Sequence, residues 1–267
     1  MRRLRTAFVV VVVALATLTT ACRDDHVDLT FRPRAGASFR YAVHVESTSV
    51  TDIPGRPPSN PRDVADLTAD QHVLDVTGGV TRLQVRVDRP NVGARTFVMH
   101  FDRAAQLTDV ESVEGIPAEA LGQLGLSEIF PAAAGAPPDR RLQPGDRWTV
   151  DDQVQLAGMP EPARLTGEGR LVELGVVDGH RTATVTSTTT LPVTARSTAG
   201  GSAQTLTGVE ATTITVVYDL DDGTVRRSSA QTSATFDVVL AAPAGQPSAP
   251  LHGTVRVEVH SDIRRTA

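Results

Sequence analysis

The stretch TVRVEVH, residues 254–260, alternates without interruption: Val255, Val257 and Val259 fall on one side, and Arg256, Glu258 and His260 on the other. Successive side chains of a β-strand point to opposite faces, so this spacing predicts a strand with one apolar and one wet face. RLQVRV reads the same way, with Leu83, Val85 and Val87 in phase, as does TITVVYDL, with Ile214, Val216, Tyr218 and Leu220 in phase. Strands covered on both faces would read as unbroken apolar runs, so clean alternation points to antiparallel pairing. About ten to twelve candidate strands recur at the spacing of all-β folds, rich in the valine and threonine that a half-buried pleated surface favours.

The breaks between these strands are proline-, glycine- and small-residue-rich: DIPGRPPSNPRD, PAAAGAPPDRR, TARSTAGGSAQ and AAPAGQPSAP. Each is short with strands on both sides, and reads as a surface loop within one domain spanning residues 36–267. One segment argues for a helix. IPAEALGQLGLSEIF has Pro117 near its start, Leu121 and Leu124 three residues apart, and Leu126, Ile129 and Phe130 on an adjoining stripe. Gly122 and Gly125 each weaken it by roughly 1 kcal/mol relative to alanine, so a loosely held, broadly apolar helix is expected over 117–130.

The two halves of the chain echo each other. Gly36-x-x-Phe39 is matched by Gly145-x-x-Trp148, Leu67-Thr68 by Leu165-Thr166, and HFDRAAQL by VYDLDDGTV; Gly79 aligns with Gly179 and Val85 with Val185 after a one-residue indel. Short alternating strands also resemble one another by chance, so both a duplication and a coincidence of pattern stay open.

The chain begins with Arg2, Arg3 and Arg5, continues as an apolar run from Ala7 to Leu18, and reaches small residues ending at Ala21. That layout is an export signal over residues 1–21, its apolar core shorter than the roughly 20 residues a membrane helix needs. Cys22, the single cysteine, follows at once. A lone thiol forms no internal disulfide. Residues 22–35 read as a polar tether.

Charge and composition exclude several functions. After the signal, 31 acidic residues face 23 arginines, a formal balance of −8, which disfavours nucleic acid as a partner. Lysine is absent, so no Walker A lysine, Schiff-base lysine or Ser-x-x-Lys nucleophile exists. None of the seven histidines stands in a His-x-His or His-Glu-x-x-His spacing. The acidic run DLDDGT lacks a glutamate at the twelfth position of a calcium loop, where Ala230 stands, and Asp222-Gly223 reads instead as a hairpin turn. LQPGDRWTV holds the only tryptophan: Gly145 makes the turn, Asp146 bonds nearby amides, and Trp148 opens a strand as an apolar anchor.

Cys22 after a short export signal resembles the lipobox of bacterial lipoproteins, although Thr19 stands where an aliphatic residue is usual. The resemblance implies a thioether-linked diacylglycerol on Cys22 and an anchor in the membrane at its extracytoplasmic face; cleavage near Ala21 by a non-lipid peptidase is the alternative. The Gly-Asp-x-Trp turn, with Gly36, Phe39 and Tyr41 before it and Tyr218, Asp219 and Gly223 after it, is similar to a family of uncharacterised secreted bacterial lipoproteins. The expected fold is mainly β, a strongly curved antiparallel sheet or half-barrel with one short helix, similar to periplasmic lipoprotein carriers of the LolA type; a β-sandwich of two related halves is the alternative. The expected function is non-catalytic, without metal or cofactor: sheltering a lipid or other amphiphile beneath Leu121, Leu124, Leu126, Ile129 and Phe130. The second reading is a structural or adaptor lipoprotein acting through protein contacts.

Overall fold

The computed structural model describes residues 26–55, 57–90, 93–103, 105, 107–113, 137–154, 162–199, 202–241 and 249–266. These form eleven strands: β1 (Ser38–Asp52), β2 (Arg62–Thr77), β3 (Val80–Arg89), β4 (Gly93–Phe101), β5 (Leu107–Val113), β6 (Arg147–Val154), β7 (Ala163–Val177), β8 (His180–Ala199), β9 (Ser202–Asp219), β10 (Val225–Leu240) and β11 (Leu251–Arg265). No helix occurs among the described residues. The segment read as a helix, 117–130, lies outside them, and so does Cys22.

All eleven strands belong to one antiparallel sheet in the order β5-β4-β3-β2-β1-β11-β10-β9-β8-β7-β6. Two meanders, β1 to β5 and β6 to β11, are joined where the first strand pairs with the last, Tyr41 opposite Arg265 and Asp52 opposite Thr254. The architecture is a single sheet rather than the two of a sandwich. The described parts of TARSTAGGSAQ belong to strands rather than to a long loop, because β8 and β9 pair as far as Ala199 opposite Ser202; threonine is at home in a ladder.

The curvature follows from two consecutive residues. The Phe31 amide donates to the Arg103 carbonyl in the β4–β5 turn (2.8 Å), and the Arg32 amide to the Asp222 carbonyl in the β9–β10 turn (3.3 Å). Neighbouring amides in one chain lie about 3.5 Å apart, so the two turns come within roughly 10 Å of each other. Six strand spacings of a flat sheet would hold them about 29 Å apart. The sheet is therefore strongly curved, and its halves face each other at this end.

Residues 26–32 form a strap across that end. Val27 pairs with Leu142 through both backbone bonds (2.7 and 2.8 Å), the His26 carbonyl accepts from Arg141 (2.8 Å), and Phe31 packs edge-on against Phe101 with ring centroids 6.3 Å apart. The part of the expected tether that the structure describes is thus docked. Two apolar cores lie on the concave face. One gathers Phe39, Tyr41, Val43, Leu83, Val85 and Met99, the other Trp148, Val150, Leu171, Val185, Val216 and Tyr218. Val27 and Leu29 enter the second and Phe31 the first, so the strap stitches them together.

Strands β1 to β5 correspond in order to β6 to β10. The amide of Gly36 donates to Val73 and that of Gly145 to Leu171; Val73 in turn donates to Ala37, and Leu171 to Asp146. A bulge follows each acceptor, between Val73 and Asp75 and between Leu171 and Glu173. The register corrects one sequence pairing: Val185 faces Leu171 as Leu83 faces Val73, so Val185 corresponds to Leu83 and not to Val85. The β7–β8 hairpin is longer by two residues in each arm, not by one in total. A one-residue insertion would turn every later side chain to the other face, whereas two preserve the phase.

Candidate functional site

Gly145 adopts φ +96°, a left-handed conformation that favours glycine. Its turn is closed by the Asp146 amide donating to the Gln143 carbonyl (3.0 Å) and by the Gln143 amide donating to the Asp146 carboxylate (3.1 Å). The second bond, then Arg140 at 3.0 Å, holds the Asp146 carboxyl below its usual range. Trp148, two residues on, is 8% exposed. Its indole lies over the cross-strand Gly169, where a Cβ would sit 2.2 Å from Cε2. Gly145, Asp146 and Trp148 are thus parts of a turn and a core.

A polar hub sits beside the strap. Asp219, at the end of β9, has a side chain 1% exposed; its Oδ2 accepts from Arg226 and faces His180 Nδ1, each at 3.1 Å. Arg265 approaches the same oxygen at 3.9 Å, bonds Asp222 at 3.1 Å and stacks 4.4 Å over the Phe39 ring. Burial among these groups raises the Tyr41 phenol. His180, Asp219 and Asp221 present ligand atoms within 4.8 Å of one another, a spacing that could hold a cation. Arg226 already stands in hydrogen-bond contact with the Asp219 oxygen, and a guanidinium does not deprotonate. The chain supplies its own cation there, and DLDDGT forms a turn with Gly223 at φ +69°.

The remaining concave surface lies toward the opposite end of β8 to β11 and β1. Val255, Val257 and Val259 are half-buried on it, while Arg256, Glu258 and His260 point outward and are exposed. Their ladder neighbours are Phe236, Ala234 and Thr232 on β10 and Thr51, Ser49 and Ser47 on β1. Leu83, Val85 and Val87, read as part of the same aliphatic wall, lie buried in the first core. A partly buried carboxyl shares the face: Glu210 on β9, flanked by Leu191 and Ala234, with burial raising it above the usual carboxylate range. Alternation locates the face, and Glu210 lies in phase with Ile214, Val216 and Tyr218, but TGVEATT is too polar to show from sequence that the strand runs back that far.

The histidines are spread as their spacing implies. His44 and His260 are outward, beside Asp66 (2.8 Å) and Asp262 (2.9 Å) respectively; the hydrogen bond to Asp66 raises His44. His180 meets the buried carboxylate of Asp219, through a turn that spacing alone does not reveal. Cys22, Leu121, Leu124, Leu126, Ile129 and Phe130 lie outside the described residues. No protein-family model matches the chain, and no curated protein matches it.

Proposed function

We propose that the protein is a lipid-anchored envelope protein whose concave sheet face shelters an amphiphile. The observation that carries this is the half-buried row Val255, Val257 and Val259, continued by Phe236 and Leu191, on the curved inner face beyond the two packed cores. An alkyl chain laid there would gain roughly 0.8 kcal/mol per methylene buried. In this reading Leu121, Leu124, Leu126, Ile129 and Phe130, outside the described residues, would add apolar surface around the ligand, and Cys22 would be the anchoring thiol. Exposed valines on the convex face, Val50, Val64 and Val209 among them, are scattered along different strands as on ordinary surfaces, which favours binding over an adaptor role.

Protein stripped of lipid should take up an uncharged fluorescent alkyl probe. Val257→Asp and Leu124→Asp should each weaken that uptake more than they lower the melting temperature. Folded protein that takes up no probe would sink the reading and leave the adaptor role as the better one.

A further inference from the structure

We propose that the concave face carries a cation subsite at Glu210, and that the amphiphile it takes is a long-chain amine. This rests on the amphiphile reading and adds the chemistry of the head group.

Glu210 shares its face of β9 with Ile214, Val216 and Tyr218, all buried. Across the ladder its neighbours are Leu191 and Ala234, and Val257 follows on β11. One inward position toward the core, Thr212 and Thr232 hydrogen-bond each other at 2.9 Å, with Thr189 opposite Thr212. One inward position the other way is Gly208, which lies opposite Phe236; a Cβ there would stand 2.8 Å from the Phe236 ring. Among the described residues the one group that bonds Glu210 is the Thr212 hydroxyl, at 3.5 Å, and no arginine or histidine stands against it. Asp219, the other carboxylate turned into the fold on this strand, is matched by Arg226.

A carboxylate in apolar surroundings takes up a proton or meets a cation. An alkylammonium supplies that cation together with a chain for the valine row. Its three N–H donors suit Glu210 and the threonine hydroxyls, and the Phe236 face attracts positive charge. A fatty acid would set two carboxyls side by side, and a fatty alcohol would leave Glu210 without a counter-charge.

Calorimetric titration of the full mature protein with dodecylamine, dodecanol and dodecanoate, each below its micellar concentration, tests this. Dodecylamine should bind about tenfold or more tighter than dodecanol, and dodecanoate weakest. Glu210→Gln should remove the preference for the amine while leaving dodecanol affinity unchanged. Glu210→Leu, which suits the apolar surroundings, should do the same with an unchanged circular dichroism spectrum. Equal binding of amine and alcohol, or an amine preference that survives both substitutions, overturns the subsite and leaves the amphiphile reading standing. Folded protein that binds none of the three overturns both.

Discussion

Two positions show what single side chains contribute. Trp148 is buried against Gly169, whose missing Cβ makes room for the indole. Trp148→Ala should cost about 3–5 kcal/mol by leaving a cavity between β6 and β7, and iodide should quench the native fluorescence poorly; ready quenching would mean that the ring is open to water. Ala105 closes the β4–β5 turn with φ +61°, where the matching turn of the second half uses Gly223. A left-handed conformation costs an L-residue roughly 1–2 kcal/mol, more than the entropy glycine loses on folding. Ala105→Gly should therefore stabilise by about 0.5–1 kcal/mol in denaturant titration, and a loss of stability would show that the turn is not strained.

At the level of elements, the strands were legible because TVRVEVH, RLQVRV and TITVVYDL alternate for long enough to specify a face. The strap was not, although Val27, Leu29 and Phe31 share the same period. Three apolar residues among charges are too few to separate a docked segment from a tether, and what docks them is two turns far apart in sequence. The hub was illegible for a similar reason: Arg226 and Arg265 reach Asp219 through hairpin and seam geometry that spacing does not encode. Val27→Asp places a charge among Leu142, Trp148 and Val150. It should speed hydrogen exchange at Leu142 and also around Phe101, because the strap joins both cores; a change confined to the second core would refute the bridge. Asp219→Asn leaves Arg226 and Arg265 with weaker partners in a partly buried site, and should lower stability by about 3 kcal/mol. Unchanged thermal unfolding would mean that Asp222 beside Arg265 and Asp178, 3.4 Å from Arg226, suffice.

For the molecule as a whole, the strap determines which end would face a membrane. Three residues separate Cys22 from His26, the first described residue of the strap, so a lipid on Cys22 would hold the strap end within about 14 Å of its attachment point. The hairpin tips at that end carry exposed valines, Val76 and Val80 on one and Val176 on the other. The far ends of strands such as β1, 15 residues long, lie about 50 Å along the strand direction, so the valine row and Glu210 would be turned away from the bilayer, toward ligand arriving from outside. Trp148 makes this measurable, because the single tryptophan sits in the core that Val27 enters, at the strap end. Lipidated protein on vesicles with dansyl head groups should show strong energy transfer from Trp148, and Cys22→Ser should abolish vesicle binding itself. Binding without transfer would mean that the molecule lies the other way up and the concave mouth faces the lipid. Absence of binding by the unsubstituted protein would instead remove the anchor, and the short reach from Cys22 to the strap would then orient nothing.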